Sequence, residues 1–406
     1  MGVRTLRVQV LTCLVIVVFS AWLGVTTTAQ GRYQPVTEIG VISSEVDADI
    51  QTLMGLGGMP SLQVGIVVQD RLVWAKGYGD QPQLDTVYLI ASITKTFTAT
   101  AFLQLYEQGF IDLDADINTY LPFSVRNPNH PTSPITIRQL LSHTSGIARD
   151  YELLDAQLLV DNQAIAWINL NYAESHPLWP SIPSLDDIVN ETNLANPVLW
   201  TTHAPGATFA YSNMGFLLLS FLLEEVTDQP LTAYTREHIT TPLGMEDTGF
   251  LAAEFPGQLA IPHERINATT VGVMPFYESY YFGAGGLRST VLDLAQYLIA
   301  HMNRGRCGAV QLLQPATVEL MHQTVAGEYG LGWSNEAGDH GHSGSLYGFT
   351  SVMTYRDTPQ GAYGVIGLTN RRGGLYPDAA FSSIVEEIYD RLFEEAERLF
   401  EQALAD

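Results

Sequence analysis

The chain is 406 residues long, 46% hydrophobic and 15% charged, which is enough apolar chain for a large core and excludes an intrinsically disordered protein. Thirty-five glycines and two cysteines exclude a collagen-like chain and a disulfide scaffold. A net charge of -24, from 19 basic against 43 acidic residues with no Lys/Arg run, argues against nucleic acid as a partner.

The first element is a targeting pattern. Arg4 and Arg7 precede an apolar run from Val8 to Val25, and small residues follow through Thr28 and Ala29. This order is that of a secretory signal peptide over residues 1–29, with cleavage expected after Ala29. The run also has the length of a short membrane span, so an uncleaved N-terminal anchor is the alternative, and the only membrane contact expected. Either way the folded part is expected outside the cytoplasm, secreted or periplasmic. Cleavage removes two arginines and no acid, taking the charge from -24 to -26. It also leaves Cys307 without a partner, so the core must hold without a disulfide.

Along the mature chain, Gln63–Val68 and Leu72–Lys76 read as a hairpin. Ser92 opens a helical pattern with Ile93, Phe97, Ala101 and Leu105 on one face, stopped near Gly109. Residues 111–135 are Asp/Pro-rich loop, Ile137–Leu141 a short helix, and 150–205 an insertion of helical pieces. Phe216–Val226 and Leu292–Asn303 are apolar helices. Gly330–Ser334, Thr350–Tyr355 and Tyr363–Thr369 read as strands. A helix from Ala379 to Leu404 closes the chain, with Ile384, Ile388, Leu392, Ala396 and Leu399 on one stripe. Strands near both ends with helices between predict a sheet domain from residues 30–111 and 286–406, and an inserted, mostly helical domain over 112–285.

Three stretches carry chemistry. In Ser92-Ile93-Thr94-Lys95, a hydroxyl at a helix start has an amine one turn on, on the same face. A serine oxygen needs such a base within hydrogen-bond reach, and the helix N-terminus favours developing negative charge. Lys76 and Lys95 are the only lysines in the chain, so chance pairing with a serine at this spacing is uncommon. In Tyr211-Ser212-Asn213, a phenol beside a cation can act as a base, and an amide can bond both a lysine and a substrate; alternatively Asn213 merely caps the following helix. In Asp339-His340-Gly341-His342-Ser343-Gly344-Ser345, a small-residue turn before a strand allows close backbone approach, and His342 offers a charge or a proton near neutral pH. Asp339, His340 and His342 do not complete a metal-ligand pattern, so no metal and no cofactor are expected.

The order Ser-x-x-Lys, Tyr-x-Asn, His-x-Gly is more specific than any of its parts. It resembles the serine β-lactamase and penicillin-recognising superfamily, in the Tyr-x-Asn form of its class C branch with the related D-alanyl-D-alanine carboxypeptidases and esterases. The phrases Leu140–Gly146, Pro242–Met245 and Gly285–Thr290 add to the likeness, which covers about residues 45–395. The resemblance implies an α/β (α+β) fold, with an antiparallel sheet built from both chain ends and flanked by helices. It implies that Ser92 becomes acylated, that Lys95 and Tyr211 share the proton work, and that Asn213 orients Lys95 and substrate. Backbone N–H groups of Ser92 and Ser345 would hold the oxyanion, with Ser343 and Gly344 lining the site. His342 stands where many relatives have Lys, which points to a peptidase or esterase acting on a small-molecule or peptide substrate, such as a cell-wall peptide. A class C-like β-lactamase, or a penicillin-binding sensor that acylates without turnover, is the alternative. Arg288 is expected either to meet an acidic substrate group or to form a structural ion pair, and His143 to be structural.

Overall fold

The computed structural model describes residues 37–147, 162–172, 185–279, 282–373 and 378–405. The targeting segment and, within the insertion read at 150–205, residues 150–161 and 173–184 lie outside these. Six antiparallel strands form the main sheet: β1 (Glu38–Ile39), β2 (Ser61–Val68), β3 (Arg71–Gly79), β4 (Asp339–Leu346), β5 (Phe349–Thr358) and β6 (Gly361–Thr369), in the order β1-β3-β2-β6-β5-β4. The hairpin read from sequence is β2–β3, and β5 and β6 extend the two late strand readings. β6 pairs with β2, so the two ends of the chain close one sheet. β2 is buried along its whole length, as expected of a central strand covered on both faces.

Alternation along β2 sorts the two cores. Leu62, Val64, Ile66 and Val68 meet the terminal helices α1 (Ser44–Leu56) and α5 (Ala379–Ala405). The α5 stripe contributes Ile388, Leu392 and Ala396, each nearly devoid of exposure. Burying each larger side chain of this stripe contributes about 1.5–3 kcal/mol. The opposite face packs on α4 (Val291–Met302), which approaches closely because a Cβ at Gly65 would stand 2.6 Å from Val291 Cγ1. Beyond α4 the same core runs into α2 (Thr94–Glu107) and α3 (Asn213–Thr227). Gly109, at φ +75°, ends the region of α2 as its lack of a side chain allows.

Two sequence expectations are corrected here. Gly330–Ser334 is a tight loop and not a strand: Gly330 N donates to the Trp333 carbonyl at 2.8 Å, and Gly332 takes φ +77°. Ser334 alone of this run bonds to the sheet, exchanging backbone bonds with Gly341. Conversely, Asp339–Ser345 is not a turn before a strand but most of the edge strand β4. Its glycines are sites of close approach, since a Cβ at Gly341 would lie 2.6 Å from the Met353 carbonyl oxygen. Among the described residues no helix is long and apolar enough to cross a membrane.

Candidate active site

Ser92 sits in a single 3-10 turn, Ala91–Ile93, that leads into α2; the α-helix itself begins at Thr94, two residues later than the sequence pattern suggests. Ala91 holds φ +47°, a left-handed conformation that is unfavourable for a residue with a side chain. The surroundings fix it there. Ile90 N donates to the Leu287 carbonyl at 2.9 Å, Ser351 Oγ to the Ile90 carbonyl at 2.7 Å, and Thr94 Oγ1 to the Ala91 carbonyl at 2.6 Å.

One helical turn after Ser92, Lys95 is fully buried. Its Nζ donates to Ser92 Oγ at 3.1 Å, to Asn213 Oδ1 at 2.8 Å and to the Ala284 carbonyl at 2.5 Å. It also lies 4.9 Å from the ring centre of Tyr211 and 5.5 Å from that of Phe216. Tyr211 OH lies 2.9 Å from the same Ser92 Oγ. Ser212, and not Asn213, caps α3 by accepting from Gly215 N at 3.1 Å, which releases the Asn213 amide for Lys95.

Tyr211 is seated by the run Ser142–Gly146 that follows the short helix Ile137–Leu141. Ala210 N donates to the His143 carbonyl at 2.7 Å, and Ser212 N to His143 Nδ1 at 3.1 Å, so both neighbours of Tyr211 are tied to one residue. The His143 ring lies against the phenol ring, with centres 4.2 Å apart. Burial, then the charge of Lys95, pushes the His143 pKa well below the usual histidine value, so it is a neutral prop, as expected.

The edge strand β4 completes the site. Gly341 gives both its N–H and its C=O to Ser334, outward from the sheet. The two-residue alternation of an antiparallel ladder then turns the backbone groups of Ser343 and Ser345 the same way. Gly344 presses on the turn that carries Ser92, since a Cβ there would stand 2.4 Å from the Ile90 oxygen and 3.0 Å from Ala91 Cβ. His342 is buried, and burial followed by the charge of Lys95 pushes its pKa down to about 3. The expectation of a charge on His342 near neutral pH is therefore corrected: the imidazole is neutral there. Arg288 is structural, donating to the carbonyls of Phe250 and Tyr277 and pairing with Glu278 at 3.1 Å. Among the described residues no group of His, Cys, Asp or Glu is placed to hold a metal ion.

Three contributors were not anticipated from the sequence. Ala284 supplies a carbonyl to Lys95, Tyr329 OH lies 2.9 Å from His342 Nε2, and Gly332 lets its loop press on the carbonyl of Lys95, from which a Cβ would stand 3.0 Å away. The small-residue run Gly283-Ala284-Gly285-Gly286 and the pair Gly330, Gly332 mark these close approaches.

The family model for Beta-lactamase matches residues 46–384. The chain belongs to the Beta-lactamase family. It is similar to Protein flp of Staphylococcus aureus, at 27% identity over 82% of this chain and 64% of that protein. The chain thus spans less than two thirds of the length of that relative. It is also similar to the D-alanyl-D-alanine-carboxypeptidase/endopeptidase AmpH of Escherichia coli, at 27% identity over 70% of this chain and 69% of that one. Among solved structures, a D-stereospecific amidohydrolase from Streptomyces sp. superposes with a TM-score of 0.61 at 26% identity, covering 84% of this chain and 98% of the other. Within the Beta-lactamase family these neighbours support a serine hydrolase in general.

Proposed function

We propose that the chain is an exported serine hydrolase that acylates Ser92 on uncharged amide or ester carbonyls, with D-amino-acid peptides and amides as the leading substrates and carboxylesters next. The observation that carries this reading is the position of Ser92 Oγ, 3.1 Å from Lys95 Nζ and 2.9 Å from Tyr211 OH.

Two proton arrangements fit these contacts and carry the same number of protons. In one, Lys95 is an ammonium donating to Ser92, Asn213 and Ala284, and the Ser92 proton points to a Tyr211 phenolate. In the other, Lys95 is a neutral amine donating to Asn213 and Ala284, the Ser92 proton points to its lone pair, and Tyr211 donates to Ser92. In both, the serine proton faces a base. As Oγ bonds to the substrate carbonyl carbon, that proton passes to the base. The base returns it to the departing amine or alkoxide as the C–N or C–O bond breaks. Water then attacks the acyl carbon, giving one proton to the same pair, and Ser92 recovers it on release of the acid. The outward N–H of Ser345 and the N–H of Ser92 stabilise the tetrahedral oxyanion.

The substrate class rests on charge. A neutral His342 and a committed Arg288 leave no fixed cation of the kind a substrate carboxylate needs on those two residues. That favours uncharged amide, ester or internal peptide carbonyls over a free C-terminal carboxylate, and weighs against an efficient β-lactamase. The printed activities of the similar AmpH and of the Streptomyces amidohydrolase support the D-amino-acid reading.

A panel of D-amino-acid amides, D-Ala-D-Ala peptides, p-nitrophenyl esters and nitrocefin tests it. The expected result is Ser92-dependent turnover of D-amides or esters above that of nitrocefin. Fast nitrocefin turnover would favour the β-lactamase alternative, and a permanent penicillin adduct without turnover would favour a sensor. Export is tested by sequencing the N-terminus of the mature protein, expected to begin at Gln30.

A further inference from the structure

The neutral imidazole of His342 is held at both ring nitrogens. His342 Nδ1 lies 2.6 Å from the Ser343 carbonyl oxygen, and Nε2 lies 2.9 Å from Tyr329 OH. A carbonyl only accepts, so Nδ1 carries the hydrogen. In a neutral ring Nε2 then has a lone pair, and the Tyr329 hydroxyl is the donor. We propose that Tyr329 is a positioning residue: with the Nδ1–H tautomer set by the Ser343 carbonyl, the Tyr329 hydroxyl donates to Nε2 and holds the imidazole against that carbonyl, on the edge strand that carries Ser345.

The groups around the ring agree with this assignment. Lys95 faces His342 from α2, the Tyr211 ring centre lies 6.3 Å away, and the Tyr329 ring stands edge-on at 5.8 Å. A second proton on His342 would bury a cation facing Lys95. Tyr329 is buried, and burial followed by the charge on Tyr211 raises its pKa well above the usual tyrosine value, so it keeps its hydrogen.

The loop that carries Tyr329 is anchored independently of His342. Val325 N donates to the Tyr329 carbonyl at 2.9 Å, Leu331 N to the Met321 carbonyl at 2.9 Å, and Gly332 N to the Leu141 carbonyl at 2.9 Å. The Tyr329 ring packs against His143 at 4.9 Å and Phe209 at 5.6 Å between ring centres. The donor is therefore held in place by contacts that do not involve its acceptor. The consequence falls on Ser343, whose carbonyl is turned outward from the sheet. Capped by the imidazole, it is withdrawn from substrate, and the neighbouring Ser345 remains the backbone group presented to a bound carbonyl.

The test is nitrogen NMR of protein labelled with ¹⁵N-histidine, with His342 assigned by loss of its signals in His342→Ala. In the parent, Nδ1 is expected to carry the hydrogen and Nε2 none. An Nε2–H tautomer in the parent overturns the proposal without any variant at Tyr329. In Tyr329→Phe, Nδ1 is expected to keep its hydrogen while the Nε2 resonance shifts because it has lost its donor, and an unchanged Nε2 resonance also overturns the proposal. Kinetics supply a second arm. Tyr329→Phe should lower kcat/KM about tenfold in the parent, and by less than about twofold in the His342→Ala background, as expected when one residue acts through the other. Equal losses in both backgrounds contradict the proposal. This inference rests on the hydrolase reading, but the two fail differently: absent turnover with Nδ1–H retained sinks that reading alone.

Discussion

Lys95 Nζ reaches the carbonyl oxygen of Ala284 at 2.5 Å, across 189 positions of sequence. With the contacts to Ser92 and Asn213, this bond fixes the position of the amine. It depends on the short helix Phe282–Gly285 lying hard against α3: a Cβ at Gly283 would stand 2.2 Å from Ser220 Oγ and 3.0 Å from the Phe216 carbonyl oxygen. Gly283→Ala should therefore push Ala284 away from Lys95. The expected outcome is a loss of about 1–3 kcal/mol of stability together with a fall in acylation rate, read by denaturant unfolding and by stopped-flow on a chromogenic ester. Unchanged acylation in a destabilised variant would show that the Ala284 contact does not serve the amine.

Removing either candidate base should be costly. Lys95→Ala and Tyr211→Phe are each expected to lower acylation by on the order of 10²-fold or more. Both residues touch the same oxygen, so the double variant should lose far less than the product of the single losses. Pre-steady-state burst measurements check this, and full activity in both single variants would remove the proposed base.

The neutral state of His342 sets a pH expectation. Its pKa of about 3 lies below the working range, so its charge does not change between about pH 5.5 and 8. KM for an uncharged substrate should be flat over that interval. A KM that climbs with a midpoint near 6.5 would show that an imidazolium takes part in binding.

Much of this was legible in the sequence, because local periodicity and close spacing survive folding. The β2–β3 hairpin, α2, α3, α4 and α5 follow from alternation or from stripes of apolar residues, and Ser92 with Lys95 from a one-turn spacing. Two readings failed for a common reason. Gly330–Ser334 looked like a strand from its apolar residues, yet Gly332 at φ +77° breaks the extended path. Asp339–Ser345 looked like a turn from its small residues, yet its glycines are required where strands and the turn carrying Ser92 approach too closely for a Cβ. The partners of Ala284 and Tyr329 were not legible, since a backbone carbonyl or a phenol gains its role only from what the fold brings opposite it. The charge state of His342 was likewise hidden, because burial decides it.

Buried neutral histidines also predict acid sensitivity. His301 and His342 are each pushed to about 3, from about 6.5 when unfolded. The unfolded chain takes up those protons first, so stability is full above about pH 6.5 and is lost as pH falls toward 3. Asp293 opposes this: burial raises it to about 7, so its contribution is present below its ordinary value of 3.8 and is lost as pH rises toward 7. Together with His143 and His322, which burial also holds well below the usual histidine value, four histidines outweigh the one carboxyl and leave a net loss of stability on acidification. The Tm should fall from pH 6.5 to 4.5, and more steeply in Asp293→Asn. A Tm that rises on acidification would contradict this assignment.

The central claim is that Ser92 is the nucleophile. The most direct measurement is the intact mass and peptide map of the protein after treatment with a fluorophosphonate. A single stoichiometric adduct is expected on the peptide carrying Ser92, absent in Ser92→Ala and strongly slowed in Lys95→Ala. No adduct on the folded parent, or one on another residue that persists in Ser92→Ala, would contradict it.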